Sequence, residues 1–160
     1  AAWAELAAKA PADIRIAEES AVFNATGIVN GLTSTELGAS YLLPHLIGAS
    51  RAFEIMLTGR TIDAAEAERI GLVSRVVPNG EGLRTALDMA ETMCRFSPYG
   101  LRMTKQVLWT NLEVGGLQAA IDLENRNQLL LGLTDNLPEC ITARKDKRPP
   151  VYEDLPRVFV

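Results

Sequence analysis

The segment between Asn24 and Gly38 holds the residues best suited to chemistry. It is rich in Gly, Asn, Thr and Ser, and it is the least regular stretch of the chain. Loops that rigid elements hold in place concentrate binding and catalytic residues. Glu36 is the one ionisable side chain in this loop, and a positioned carboxylate can take up and return a proton. We therefore expect the chemistry of the chain to lie here.

A second group of residues that could bind a ligand lies near the end of the chain. Residues 144–148 read Arg-Lys-Asp-Lys-Arg. The cluster is short and the formal net charge of the chain is −4, so the sequence indicates no extended basic surface that would bind nucleic acid. We expect no nucleic-acid partner, although the cluster could hold a single phosphorylated ligand.

Composition indicates a globular protein of a reducing compartment. Of the 160 residues, 48% are hydrophobic and 22% are charged, which is the balance of a folded domain. No apolar run approaches the ~18 residues of a membrane span, and Glu5 and Lys9 argue against a signal peptide. Cys94 and Cys140 lack Cys-x-x-Cys or histidine spacing, which favours buried, reduced thiols over a disulfide. We expect a cytoplasmic protein with no membrane partner and no metal site.

Regular elements on both sides must position the loop. The residues around Ile14–Ala17 predict a short strand, and Phe23 is a second apolar anchor just before the loop. Beyond the loop, periodicity and capping residues predict three helices and then a strand that ends at a proline. These elements cover residues 39–46, 49–57, 63–71 and 72–77.

The two ends of the chain are predicted to be helical. The alanine-rich residues 1–10 have high helix propensity, and Pro11 ends that segment. After Gly80, Ser97 and Pro98 form a typical helix cap and first helical position. The predicted C-terminal helices cover residues 82–95, 101–112, 117–133 and 138–145. The chain thus divides into a mixed α/β part, residues 1–78, and a helical part, residues 79–160.

A series of short motifs runs through the chain in a fixed order. The first are Ala-Asp-Ile-Arg-Ile-Ala at 12–17, Ala-Val-Phe at 21–23 and Leu-Pro-His-Leu-Ile-Gly at 43–48. The most specific are Leu-Thr-Gly-Arg at 57–60 and the pair Ala-Glu-Ala at 65–67 with Gly-Leu-Val at 71–73. The last are Ser97-Pro98 with Lys105, Glu124, and Glu139 through Pro149. Together they resemble the crotonase, or enoyl-CoA hydratase/isomerase, superfamily over about Ala12 to Tyr152, with His45 in place of a usual Arg.

The resemblance implies a fold, a ligand and an assembly. The fold is α/β, a spiral of ββα turns followed by a helical region that packs trimers, often as pairs of trimers. The ligand is an acyl-CoA thioester, so coenzyme A enters as part of the substrate and no separate cofactor is expected. In the shared mechanism two backbone N–H groups form an oxyanion hole that stabilises an enolate. Hydratases add two carboxylates that handle the water and the proton at carbon 2.

The front of the chain departs from the family pattern. In the family, a Gly-rich loop between the first helix and the Asp-Ile strand carries one oxyanion N–H group and often the first carboxylate. Here Ala12-Asp13-Ile14 follows Pro11 directly, so the ββα core is incomplete. We expect that these residues omit stretches of a longer parent, joined near Pro11–Ala12. An alternative aligns Glu5-Leu6-Ala7 with the residues after the Gly-rich loop and requires a two-residue insertion.

The loop departs from the pattern as well. Thr26 and Gly27 occupy the positions of the family's Pro-Glu, so the usual proton-transferring carboxylate is absent. We expect Thr26, Gly27 and Thr35 to contact the substrate. Glu36 has two interpretations: an acid/base beside the acyl chain, with its pKa raised by an apolar pocket, or a first-turn residue of the helix that starts near Leu37.

Lys147 and Arg148 resemble the family's C-terminal basic pair, whose surroundings can approach the phosphates or adenine of coenzyme A. The alternative is a solvated helix end, where cations suit the helix dipole. We count both residues as candidate substrate-binding residues.

Residues and resemblance together predict an acyl-CoA-processing enzyme, a lyase or isomerase of fatty acid metabolism that forms homotrimers or hexamers. It would transfer a proton through a thioester enolate, with Glu36 as the catalytic acid/base. Because Gly27 replaces the usual acid, isomerisation, or a specialised hydration or hydrolysis, fits better than efficient hydration. The alternative is a non-catalytic relative that binds acyl-CoA or serves assembly.

Overall fold

The computed structural model describes residues 12–154 and the backbone of residues 3–5. The chain divides into two compact units, Ala1–Leu87 and Asp88–Val160, and each is described by itself. The division at residue 78 that composition suggested stays a prediction about domain organisation.

The described strands of the first unit are short and form two small sheets. They are β1 (Trp3–Glu5), β2 (Ile16–Glu18), β3 (Val22–Asn24), β4 (Ile62–Asp63) and β5 (Arg75–Val77). β3 is the central strand of one sheet, with β1 parallel on one side and β4 antiparallel on the other. β2 and β5 pair in parallel to form the second sheet.

Strand β1 corrects the prediction of a helix over residues 1–10. Trp3, Ala4 and Glu5 pair in register with Val22, Phe23 and Asn24 of β3. Pairing with a distant strand therefore overrides the helix propensity of the alanine-rich segment. The rest of that predicted helix, residues 1–2 and 6–10, lies outside the described residues.

Helices make up most of the remaining structure. They are α1 (Thr26–Val29), α2 (Ala39–Ile47), α3 (Ala49–Thr58), α4 (Ala64–Arg69), α5 (Gly82–Met93), α6 (Pro98–Asn111), α7 (Leu117–Gly132) and α8 (Asn136–Lys145). Except for α1, each was predicted, with bounds that differ by up to three residues. The one-turn helix α1 lies inside the segment that was predicted to be irregular.

The core of the first unit holds both ends of the loop. Phe23 and Ala25 are buried just before the loop, and Ala39 is buried just after it. α2 adds Leu43 and Ile47 on the same face as Ala39, the spacing of an amphipathic helix. The other buried apolar residues of the same cluster are Ala17, Ala52, Ile55, Met56, Ile62, Ala64, Ala67, Ile70, Leu72 and Val73. Both ends of the loop are therefore anchored in the packed core.

The helices of the second unit carry many exposed apolar side chains. The large exposed ones there are Phe96, Leu108, Leu112, Leu117, Leu129, Leu130, Leu133, Leu137, Ile141 and Val151. Cys94 and Cys140 are both free thiols; Cys94 is exposed, so the expectation that both would be buried was wrong. None of the helices in the described part of the chain is long and apolar enough to cross a membrane.

Candidate functional site

The loop between β3 and α2 folds back on itself at Gly27. A Cβ atom at position 27 would lie 2.1 Å from the carbonyl oxygen of Thr33 and 3.2 Å from the Cα atom of Ser34. Real Cβ atoms essentially never approach another heavy atom within 3.0 Å. The main chain of Thr33 and Ser34 therefore covers Gly27, and no other residue fits there while the loop keeps this path.

Two hydrogen bonds hold the folded-back segment in place. The N–H group of Leu32 donates to the carbonyl oxygen of Gly27 at 2.9 Å. The N–H group of Ile28 donates to the hydroxyl of Ser34 at 3.0 Å. These bonds lie on either side of Thr33 and hold the segment that carries its carbonyl against Gly27.

Gly59, which caps the C-terminus of α3, lies close to helix α1. A Cβ atom at Gly59 would lie 2.9 Å from the Cγ2 atom of Ile28 and 3.0 Å from the Cγ1 atom of Val29. Gly59 also has a φ of 63°, a left-handed conformation that glycine adopts without strain. The contact lets α1 lie directly against the end of α3.

Glu36 precedes α2 and is exposed. The helix begins at Ala39 with Gly38 as its N-cap, and no acidic residue lies in its first turn. The second interpretation of Glu36, as a first-turn residue of a helix that starts near Leu37, is therefore wrong, whereas the helix predicted over residues 39–46 is confirmed. Instead, the carbonyl oxygen of Glu36 accepts a hydrogen bond from the N–H group of Ala39 at 2.8 Å, and Leu37 has a left-handed φ of 50°. The catalytic interpretation of Glu36 stays a prediction.

The other predicted residues of the loop differ in exposure. Thr26 and Gly27 are half-buried in α1, whereas Thr35 is exposed. Because Thr33 lies against Gly27 and Glu36 follows three residues later, the Cα atom of Glu36 lies within roughly 11 Å of that of Thr33. Thr26, Gly27, Thr35 and Glu36 all lie on the loop that folds back at Gly27, and their roles as substrate contacts and acid/base stay predictions.

Two residues of this region were not predicted. Ser34 holds the fold-back, but a serine six residues from its partner carries no periodic signal. Asn24 is buried at the end of β3, and its Oδ1 atom has no hydrogen-bond partner in the described structure. The sequence offered one signal for Asn24, a polar residue at the end of an apolar strand. Such a residue stands out because a buried amide needs hydrogen-bond partners.

Lys147 and Arg148 lie in the second unit, just after α8. Arg148 donates two parallel hydrogen bonds to the Glu139 carboxylate, at 2.6 and 2.9 Å. Val151 N–H donates to the same carboxylate at 2.8 Å. These bonds lower the pKa of Glu139 from 4.5 to about 2, with the Arg148 contact as the largest cause.

The neighbouring Lys147 is exposed and has a left-handed φ of 54°. The guanidinium group of Arg148 is committed to Glu139, so Lys147 is the more accessible cation of the predicted pair. Both stay candidate substrate-binding residues. Within residues 12–154, no group of three or more His, Cys, Asp or Glu side chains is placed to hold a metal ion.

Comparison with known proteins identifies the family. The sequence model of enoyl-CoA hydratase/isomerase matches residues 4–155, so the match begins before Ala12, where the motifs began. The chain belongs to the enoyl-CoA hydratase/isomerase family. Its crotonase-like α/β fold, predicted from those motifs, is confirmed by the solved structures of this family that it resembles.

Curated members of the family match most of this chain. A protein from Mycobacterium tuberculosis named probable enoyl-CoA hydratase EchA12 is 52% identical over 144 residues, which cover 89% of this chain and 50% of the relative. The 2,3-dehydroadipyl-CoA hydratase of Escherichia coli is 36% identical over 88% of this chain and 54% of its own length. The chain thus spans about half the length of the curated relatives it matches.

Solved structures of the family share the fold. A probable enoyl-CoA hydratase/isomerase from Mycobacterium abscessus superposes with a TM-score of 0.89 at 45% identity, over 96% of this chain and 61% of that one. A monofunctional enoyl-CoA isomerase from M. smegmatis gives a TM-score of 0.68 at 52% identity, over 74% of this chain and 57% of that one. Relatives of similar identity therefore carry both hydratase and isomerase names.

Proposed function

We propose that the protein carrying this chain is an acyl-CoA enzyme that transfers a proton through a thioester enolate. Membership of the enoyl-CoA hydratase/isomerase family supports the ligand class. The observation that carries the catalytic role is the position of Glu36, the one carboxylate on the loop, exposed beside the fold-back at Gly27. Thr26, Gly27 and Thr35 would contact the acyl chain or its thioester.

In the proposed step, the Glu36 carboxylate takes a proton from the carbon next to the thioester carbonyl. The electron pair of the broken C–H bond moves towards the carbonyl oxygen and forms the enolate, and the carboxylic acid then returns the proton to the acyl chain. Hydrogen-bond donors at the developing oxyanion are required for this chemistry, and the family resemblance assigns them to segments before the Asp-Ile strand.

A non-catalytic acyl-CoA-binding relative is the second candidate. Gly27 favours it, since a glycine cannot transfer a proton and the family places a carboxylate at that position. The two candidates make the same prediction for binding and opposite predictions for turnover.

We also propose a location, an assembly and a role for the basic pair. The protein would act in the cytoplasm, as a trimer or a pair of trimers. Lys147 would approach a phosphate of coenzyme A, while Arg148 would hold the Lys147 segment through Glu139.

Binding and turnover by the full-length protein test this function. Acyl-CoA should raise the melting temperature, because a ligand that binds only the folded state stabilises it. Incubation with 2-enoyl- and 3-enoyl-CoA thioesters of several chain lengths should change the absorbance of the conjugated thioester. A thermal shift without turnover at any chain length would support the binder, and no shift with any thioester would contradict both candidates.

A further inference from the structure

The chain that follows the C-terminal basic pair is tied to the helices of the second unit. Residues 149–154 form a strap without regular secondary structure. Near its start, the N–H group of Val151 donates to the Glu139 carboxylate of α8 at 2.8 Å. At its end, the Asp154 carboxylate accepts two hydrogen bonds from Arg102 of α6, at 2.6 and 2.9 Å. The strap is therefore held near both ends.

The side chain of Asn136, the first residue of α8, holds the strap between these points. Its Oδ1 atom accepts a hydrogen bond from the N–H group of Glu153 at 3.1 Å, and its Nδ2 group donates to the Glu153 carbonyl oxygen at 3.3 Å. The same Nδ2 group donates to the Ser97 hydroxyl at 3.0 Å, and Ser97 in turn caps α6. One amide thus joins the start of α8, the start of α6 and the strap.

Lys147 lies at the turn between α8 and the strap, in a backbone conformation that needs support. Its φ of 54° is left-handed, which a residue with a Cβ atom adopts only where its surroundings hold it. The N–H groups of Lys147 and Arg148 donate to the carbonyl oxygens of Arg144 and Ala143, at 3.3 and 3.0 Å. The end of α8 therefore holds the chain before Lys147, and the strap contacts hold the chain after it.

We propose that Asn136 is a positioning residue for coenzyme A binding, because it holds the strap and thereby fixes the backbone from which Lys147 reaches a phosphate group. The inference rests on the proposed function, which assigns the phosphate contact to Lys147. A lysine ammonium lies on a long flexible stem. Fixing its backbone beforehand strengthens binding, since less conformational freedom is lost when the ligand arrives. The contacts that carry this inference all lie within the second unit.

A double-mutant cycle in the full-length protein tests the inference, with the dissociation constant of coenzyme A as the measurement. Calorimetric titration reports this constant for the folded fraction, so a partly unfolded variant still gives an answer. The variants are Lys147→Ala, Asn136→Ala and the two combined. Asn136→Asp is added because it keeps an acceptor for Glu153 N–H and loses only the amide donor. Asn125→Ala, at an exposed asparagine of α7, is the matched control.

We expect Lys147→Ala to weaken coenzyme A binding about tenfold, as loss of a charge-assisted contact should. Asn136→Ala should weaken it several-fold, and Asn136→Asp should weaken it less. In the Lys147→Ala background, Asn136→Ala should have no further effect, because its influence passes through Lys147. Asn125→Ala should bind as wild type does.

Two results would overturn the inference and leave the proposed function standing. One is an Asn136→Ala variant that binds coenzyme A as wild type does. The other is an equal loss from Asn136→Ala with and without the Lys147 side chain, which would show that Asn136 acts on the fold alone. A wild type that binds no coenzyme A would overturn both the inference and the proposed function.

Discussion

At the scale of single residues, side-chain hydrogen bonds fix where the elements near the loop begin. The Asp63 carboxylate accepts a hydrogen bond from the N–H group of Glu66 at 2.7 Å and caps α4. The Glu66 side chain does not complete a reciprocal capping box; its carboxylate instead receives two hydrogen bonds from Arg60, at 2.7 and 2.9 Å. Asp63 therefore starts the helix, while Glu66 links it to the segment that follows α3.

The cap at Asp63 should be measurable. Asp63→Ala leaves the Glu66 N–H group without its acceptor and should lower the free energy of unfolding by about 1 kcal/mol. Asp135→Ala is the matched control, because Asp135 is the N-cap of α8 but makes no side-chain capping bond. Urea unfolding followed by circular dichroism measures both. Equal losses in the two variants would show that the Asp63 bond contributes nothing specific.

Single residues also show what sequence patterns can and cannot reveal. The cap at Ser97 was predicted from the residue type and from Pro98 at the first helical position, and it is confirmed. The contact of Gly27 with Thr33 was not predicted, because it depends on the path of a loop without periodicity. The sequence indicated that Gly27 lacks the family's carboxylate, and the structure adds that the position has no room for one.

At the scale of elements, local patterns predicted the helices and missed the non-local strand. α2 to α8 follow from apolar spacing and capping residues, which are local properties. β1 exists because it pairs with β3, about twenty residues away in sequence, and three residues carry too little pattern to outweigh alanine propensity. α1 is a single turn inside a turn-rich loop, and so short a helix is not distinguishable from a turn by composition.

The segment after α8 depends on an ion pair and should therefore be sensitive to acid. The folded protein holds the pKa of Glu139 at about 2, below its usual 4.5, through Arg148 and Val151 N–H. The ionised carboxylate is thus favoured in the folded state. Its stabilisation is fully present above about pH 4.5 and is lost as the pH falls towards 2.

The expected pH dependence has a definite sign. Wild type should be more stable than Glu139→Gln at neutral pH, and the difference should shrink as the pH falls from about 5 to about 2. Glu91→Gln, which changes an exposed carboxylate on α5, should track wild type across the range. Thermal unfolding at closely spaced pH values provides the measurement. A difference that stays constant with pH would contradict the role assigned to the ion pair.

At the scale of the whole molecule, the helices of the second unit expose a series of large apolar side chains. Leu129 is 72% exposed and Leu133 is 85% exposed, both towards the end of α7. Contiguous exposed apolar surface marks interaction sites. The proposed trimer offers a partner for this surface, because a second copy of the same chain presents the same helices.

Self-association of the full-length protein tests this proposal. We expect wild type to sediment as a trimer or hexamer, and the double variant Leu129→Gln, Leu133→Gln to shift towards the monomer in a concentration-dependent way. Asn125→Gln changes an exposed residue of the same helix and should sediment as wild type does. A monomeric wild type, or a double variant whose mass is unchanged, would rule out this interface.

Glu36 is the central residue of the proposed reaction, because its carboxylate is proposed to move the proton. The measurement is the rate at which the full-length protein converts a 3-enoyl-CoA to the conjugated 2-enoyl-CoA, compared between wild type and Glu36→Gln. Glutamine keeps the size of the side chain but cannot accept and return a proton, so kcat should fall about 100-fold or more, with little change in KM. Glu19→Gln, at an exposed glutamate outside the loop, should keep the wild-type rate. A Glu36→Gln enzyme within a few-fold of wild type would contradict the account.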